Sequence, residues 1–100
     1  MFGKLCFNFR SKGAIPATVG VIGGKVHVGL SREQLEHLAQ PKTKKIKVSR
    51  RDFPFALATS VSGGTTVSGT LCVAGNLVRG DTLPIFVTGG IGGVHRGYEV

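Results

Sequence analysis

Short runs of β-branched and apolar residues, separated by glycine, occupy the first half of the chain. "ATVGVIGGKVHVGL" has two such runs on either side of Gly23-Gly24, and two glycines between strands favour a tight hairpin turn. The pattern predicts a β-hairpin over about residues 14–29. Further along, Ile46 and Val48 alternate with Lys47. This alternation is typical of a short strand, and it turns Lys47 away from the core.

The segment "LSREQLEHLAQP" has the signals of a short helix at both ends. Ser31 and Gln34 have the spacing of a capping box, and Pro41 follows the last apolar position. A serine cap with glutamine three residues later marks a helix start, and proline marks its end. We therefore expect a helix over about residues 32–40.

Two more helices are predicted in the second half of the chain. "FPFALATS" favours a helix over about residues 53–60, capped by Ser49 or Asp52, because proline is tolerated in a first turn. A third helix should begin at Thr65 or Thr66, because the apolar residues that follow recur at helical spacing: Val67, Leu71, Ala74 and Val78.

A last apolar run, "IFVTG", lies between Pro84 and Gly89 and predicts a short buried strand. Strands and helices thus alternate along the chain, which is typical of an α/β fold. We expect a mixed sheet with covering helices, as in part of an α/β/α layered fold.

Composition narrows the classes of partner. One hundred residues are enough for a single domain with a modest core. The net charge is +8, and six of the 13 basic residues fall within residues 42–51, so acidic partners are indicated. A nucleic-acid-binding module is a second hypothesis, although aromatic residues do not interleave with this basic run. No apolar run reaches 18 residues, so no membrane span is expected.

The two cysteines indicate the cellular compartment in which the protein is found. Cys6 and Cys72 lie far apart with no CxxC pair, which favours reduced thiols over a zinc site or a disulfide framework. We expect a cytoplasmic protein. Because the N-terminus is basic and has no acidic residues, a mitochondrial location is the alternative.

Two glycine-containing stretches are candidates for ligand binding. In "SGGTTV", glycines let a ligand approach the backbone, and unpaired amides at the start of the next helix attract an anion. Lys47 can supply counter-charge. The alternative is that Thr65 or Thr66 is only a helix cap. The composition of this stretch suits a phosphate.

The second stretch is "IFVTGGIGGVHRG", which ends close to the C-terminus. It fails the GxGxxG pattern, because His95 occupies the sixth place when counting starts at Gly90. Two interpretations stay open, a tight glycine loop or a ligand site at the end of a strand. His95 is either a general acid/base or a structural donor. No carboxylate pair, HExxH motif or serine-histidine-aspartate group can be assembled.

Four motifs together closely resemble the pseudouridine-5′-phosphate glycosidase family, also called pseudouridylate synthase or indigoidine synthase A-like. They cover about residues 13–97 and read "GAIPATVGVIGGKVHVGLS", "KVSRRDFPFALA", "GGTTVSGT" and "FVTGGIGGVHRG". The resemblance implies an enzyme that reversibly breaks the carbon–carbon glycosidic bond of pseudouridine 5′-phosphate, giving uracil and ribose 5-phosphate. It also implies a divalent metal, Mn²⁺, a trimeric assembly, and a Schiff base between the opened sugar and a lysine.

The resemblance implies roles for five residues. Lys47 is similar to the family's substrate-binding lysine, and Thr66 with Val67 to the backbone site for the substrate phosphate. Thr88 and His95 resemble pocket residues around the nucleoside. No catalytic residue is assignable, because the family's glutamate and Schiff-base lysine have no match. The metal aspartate of the family has no match either, so no metal ligand is assigned.

The resemblance divides the chain into a divergent segment, residues 1–12, and a partial glycosidase domain, residues 13–100. We therefore expect an N-terminal segment of such an enzyme that is inactive alone. The expected partners are the small-molecule substrate and further copies of the chain, with no nucleic acid and no membrane. A fragment that packs on other subunits without catalysis is a further alternative.

Overall fold

The computed structural model describes residues 10–77, 85–89 and 91–99. Four strands make one sheet in the order β2-β1-β4-β3; they are β1 (Val19–Ile22), β2 (Lys25–Val28), β3 (Lys45–Val48) and β4 (Ser62–Thr65). The sheet is accompanied by the helices α1 (Arg32–Ala39), α2 (Phe53–Ala58) and α3 (Val67–Asn76). A 3₁₀ turn, Arg50–Asp52, leads into α2.

The predicted hairpin is present. β1 and β2 pair antiparallel, with Val21 opposite Val26. Gly23 and Gly24 form the turn with φ of 56° and 77°, a left-handed backbone conformation that side chains with a Cβ rarely adopt. The hairpin is shorter than its predicted range, because the first paired residue is Val19.

β4 lies in the middle of the sheet, where no strand was predicted. It pairs antiparallel with β1 and parallel with β3. Its sequence, "SGGT", contains two glycines, a residue depleted in strands. Pattern alone therefore misses β4, but the two neighbouring strands supply the hydrogen bonds that its own propensity does not favour. The mixed sheet itself is confirmed.

Helices cover both faces of the sheet. On one face, Val21 and Val48 pack with Ala56 of α2 as the fully buried core. Thr65 lies opposite Val48 in the parallel register and therefore belongs to the same face. Its hydroxyl is 2.8 Å from that of Thr70 in α3, so α3 lies on this face as well. On the opposite face, a Cβ built on Gly20 would meet the side chain of Leu38 of α1 at 3.4 Å. This layering agrees with the predicted α/β fold.

The helix predictions are confirmed with small changes at the ends. α1 begins after Ser31, whose capping box with Gln34 is formed. α2 ends at Ala58, two residues earlier than predicted. α3 begins at Val67, with Thr66 as its N-cap. Val78 lies outside the described residues.

The predicted strand over residues 85–89 is wrong. Residues 85–88 have no regular secondary structure, and Ile85 is 91% exposed. A strand gains its stability from a paired neighbour and from burial of its apolar side chains. Residues 85–89 pair with no strand in the described part of the chain, so their apolar composition alone does not make a strand.

Two further sequence expectations concern the cysteines and the membrane. Cys72 is a free, half-buried thiol, whereas Cys6 lies outside the described residues. Within the described ranges, no helix is long and apolar enough to cross a membrane.

Candidate functional site

A groove runs along the neighbouring strands β3 and β4. Its volume is about 630 Å³, and its lining residues are Lys45, Ile46, Lys47, Gly64, Thr65 and Thr66. Lys47 lies opposite Gly64 in the parallel register, so both belong to the sheet face that α1 covers only in part. We call this the Lys47 groove. The groove extends along β3 from its first residue and reaches the carboxyl end of β4 at Thr65 and Thr66. Open α/β sheets commonly bind ligands at the carboxyl ends of their strands.

The two lysines of the groove differ in what their amines do. The Lys45 Nζ donates to the carbonyl of Leu38 at 2.5 Å and to that of Gln40 at 3.1 Å. Lys45 thereby satisfies carbonyls at the C-terminal end of α1. Lys47 is exposed, and its Nζ has no hydrogen-bond partner among the described residues. Lys47 is therefore the amine available to a ligand.

α3 begins beside the same groove, at its N-cap Thr66. The backbone N–H of Thr66 donates to the Val48 carbonyl at 3.0 Å, which fixes the start of the helix against the end of β3. The Thr66 hydroxyl accepts a long 3.5 Å hydrogen bond from the Gly69 N–H. The N–H groups of Val67 and Ser68 have no partner among the described residues. Free amides and the helix dipole together favour an anion at this point.

Ser49 joins this arrangement, although sequence reasoning assigned it only to a helix cap. Its hydroxyl lies 2.9 Å from the Thr66 hydroxyl, while its backbone N–H donates to the Asp52 carboxylate at 2.9 Å. Ser68 was not singled out either. Its hydroxyl accepts the Arg50 N–H at 3.3 Å. The only sequence signal for Ser49 is its position directly after the strand that carries Lys47.

A second groove lies on the other side of the Ser49–Thr66 contact. It has a volume of about 510 Å³ and is lined by Ser49, Arg50, Arg51 and Ser68. We call it the Arg50 groove. The basic run of residues 42–51 is thus divided, since Lys45 binds carbonyls of the protein, Lys47 lines one groove and the two arginines line the other.

The structure brings together only some of the residues predicted for the site. Lys47 and Thr66 line one groove, and Val67 follows directly as the first residue of α3. Thr88 and His95 are exposed and line neither groove. The carbonyl of His95 accepts the Tyr98 N–H at 3.3 Å. The roles of all five residues stay predictions.

The chemistry available in the Lys47 groove is that of binding. Its lining offers an amine, hydroxyls and backbone groups, but these six residues include no carboxylate, imidazole or thiol. Such donors suit a phosphate or another oxyanion. The groove can therefore hold such a ligand.

The comparison with protein families agrees with the motifs. The family model "Indigoidine synthase A like protein" matches residues 4–100. The chain belongs to this family.

Curated relatives extend the comparison. The chain is 50% identical over 91 residues to a pseudouridine-5′-phosphate glycosidase of Mycoplasmopsis agalactiae, a match that covers 91% of this chain and 29% of the relative. It is 49% identical over 92 residues to the enzyme of that name from Escherichia coli K12, covering 92% of this chain and 28% of the relative. The chain therefore spans less than a third of the length of these relatives.

Two solved structures have a similar fold. The prealnumycin C-glycosynthase AlnA, crystallised with ribulose 5-phosphate, has a TM-score of 0.74 and 42% identity, over 97% of this chain and 31% of its own. An indigoidine synthase A-like protein from Thermotoga maritima MSB8 also has a TM-score of 0.74, with 29% identity, over 95% of this chain and 31% of its own. The mixed sheet and its helices are thus an architecture found in this family.

Proposed function

We propose that this chain supplies the sugar-phosphate-binding part of a pseudouridine-5′-phosphate glycosidase, which reversibly cleaves the C-glycosidic bond to give uracil and ribose 5-phosphate. The observation that carries the proposal is the Lys47 groove, whose lining includes a lysine amine without a protein partner and Thr66, the N-cap of α3. The two free amides of α3 follow directly after Thr66. Relatives of that name at about half identity support it. The AlnA complex with ribulose 5-phosphate supports a sugar phosphate as the ligand class.

In this proposal the phosphate lies at the amino end of α3. The N–H groups of Val67 and Ser68 donate to its oxygens, and the Lys47 ammonium neutralises part of its charge. The Thr66 hydroxyl borders the same place. Thr88 and His95 belong to the proposal through the family resemblance alone, as contacts to the nucleoside.

Manganese enters the proposal through the family resemblance alone. In the described part of the chain, no group of three or more His, Cys, Asp or Glu side chains lies together in a way that could hold a metal ion. The described residues therefore do not fit a manganese site, and no contact proposed here for the sugar phosphate is assigned to the metal. The trimer and the cytoplasmic location are likewise proposals.

Replacing Lys47 tests this function. Titration of the ¹⁵N-labelled chain with ribose 5-phosphate should shift the amide signals of Val67 and Ser68, and ribose without phosphate should not. We expect Lys47→Gln to weaken binding by about tenfold or more, because a hydrogen bond to a charged group is worth about 1.5–3 kcal/mol and 1.4 kcal/mol is about tenfold.

Lys42→Gln is the matched control, because Lys42 is exposed, lines neither groove and carries the same charge. It should leave the affinity within about twofold of the wild type, since an exposed charge outside the site acts only through screened, long-range attraction. Equal weakening by both substitutions would show general charge attraction and contradict a defined site.

A further inference from the structure

Three hydroxyl groups form a chain across the amino end of α3. The Ser49 Oγ lies 2.9 Å from the Thr66 Oγ1, and the Thr66 Oγ1 lies 3.2 Å from the Ser68 Oγ. This chain separates the Lys47 groove, which contains Thr66, from the Arg50 groove, which contains Ser49 and Ser68. Ser49 therefore reaches the Lys47 groove only through Thr66.

The backbone holds Ser49 firmly in this place. Its N–H donates to the Asp52 carboxylate at 2.9 Å, and its carbonyl accepts the Asp52 N–H at 2.9 Å. The preceding residue, Val48, is fully buried and accepts the Thr66 N–H at 3.0 Å. The Ser49 hydroxyl is thus a fixed point against which the Thr66 hydroxyl can orient.

Thr66 has little else to orient its hydroxyl. The hydrogen bond that it accepts from the Gly69 N–H is long, at 3.5 Å, and such bonds are weak. Ser68 is exposed, so water competes for its hydroxyl. The contact with the half-buried Ser49 is the shortest one that the Thr66 hydroxyl makes among the described residues.

We infer that Ser49 is a positioning residue for the sugar phosphate: it orients the Thr66 hydroxyl, which borders the Lys47 groove, without touching the ligand. The inference depends on the proposed function, since it concerns the same site. Removing the Ser49 hydroxyl frees the Thr66 side chain to rotate. In part of the molecules the Thr66 hydroxyl then no longer points towards the ligand, and binding is weaker.

The experiment compares Ser49→Thr with Ser49→Val, two side chains of the same shape that differ by the hydroxyl. The dissociation constant for ribose 5-phosphate should rise about three- to tenfold in Ser49→Val, the effect of one hydrogen bond. Ser49→Thr should stay within about twofold of the wild type. The three-bond couplings of Thr66 report its χ1 angle, and they should become averaged in the valine variant only.

Ser62→Ala is the matched control. The Ser62 hydroxyl likewise makes one hydrogen bond, in which it accepts the Gly23 N–H at 2.9 Å, but Ser62 lines neither groove. Its loss should leave both the affinity and the Thr66 couplings unchanged. Ser49→Ala, which adds no branched side chain, takes the place of the valine variant if the ¹H–¹⁵N spectrum of the latter shows an unfolded chain.

The outcomes separate this inference from the proposed function. If Ser49→Val binds ribose 5-phosphate as tightly as the wild-type chain does, the positioning role is overturned and the proposed function stands. Equal weakening in Ser62→Ala also overturns it, because the effect is then one of general stability. A wild-type chain that does not bind ribose 5-phosphate overturns the proposed function and this inference together.

Discussion

Gly63 and Gly64 are neighbours in β4 with opposite surroundings. A Cβ built on Gly63 would lie 2.0 Å from the Ile46 carbonyl oxygen and 3.1 Å from a Val48 methyl group, whereas one on Gly64 meets nothing within 4 Å. Backbone atoms of a paired strand cannot move away cheaply. The close approach of β3 and β4 thus requires glycine at one position only.

We expect Gly63→Ala to lower the free energy of unfolding by about 2 kcal/mol or more, in the range of substitutions that overpack a core. Urea unfolding followed by circular dichroism measures this change. Gly64→Ala is the internal control and should be neutral or stabilising by about 0.4–1 kcal/mol, because alanine has less entropy to lose on folding. Equal losses in the two variants would contradict the packing assigned to β4.

Lys45 and Lys47 show what alternation can predict for single residues. The Ile46–Lys47–Val48 pattern correctly places Lys47 away from the core, and it places Lys45 on the same face. It cannot distinguish the two amines. The carbonyls that Lys45 binds belong to residues 38 and 40, and their approach depends on how α1 lies beside the sheet.

At the level of elements, α1 is specified almost entirely by its own sequence. The Gln34 N–H donates to the Ser31 hydroxyl at 3.2 Å, and the Ser31 N–H donates to the Gln34 side-chain oxygen at 2.8 Å. Both contacts join residues three positions apart, so they form whenever this helix forms. The predicted and observed starts of α1 agree for this reason.

Ser31→Ala should destabilise the chain by about 1 kcal/mol, because the Gln34 N–H at the start of α1 loses the hydroxyl that accepts its hydrogen bond. Thermal unfolding followed at 222 nm gives the change. Arg32→Ala removes the exposed ion pair with Glu36 and should cost no more than about 0.5 kcal/mol. A larger effect of Arg32→Ala than of Ser31→Ala would contradict the capping box as the main local stabiliser.

β4 is the opposite case among the elements. Serine, two glycines and threonine have no strand pattern of their own, yet β4 pairs on both sides. The apolar residues 85–89 have such a pattern but lack a partner in the described part of the chain. Strand formation in this protein therefore follows the availability of a neighbour more closely than local propensity.

For the whole molecule, burial is limited. In the described residues, the fully buried core consists of Val21, Val48 and Ala56. Large apolar side chains are exposed elsewhere, among them Phe55 at 59% and Leu71 at 49%. The radius of gyration is 14.8 Å, against about 13 Å for a compact domain of 100 residues. Exposed apolar surface of this kind favours association.

We expect the isolated chain to associate as its concentration rises, because contacts between molecules remove this apolar surface from water. Sedimentation velocity over a hundredfold range of concentration measures the effect, and the mean sedimentation coefficient should increase. Phe55→Ser should reduce the association, whereas Glu33→Ser, at an exposed polar position of α1, should not. A single monomeric species with sharp, cooperative unfolding throughout would contradict this expectation.

Four features follow from the sequence alone, because each depends on residues at most a few positions apart. They are the capping box of α1, the glycine turn of the hairpin, a threonine at the start of α3 and the outward position of Lys47. Three other features do not follow from the sequence alone. They are the central place of β4, the hydrogen bonds of Lys45 and the contact between the Ser49 and Thr66 hydroxyls. These join positions that are distant in sequence or depend on how separate elements pack. The Lys47 groove arises at that second level, since the local pattern supplies its amine and its helix start, and the pairing of β3 with β4 brings the two together.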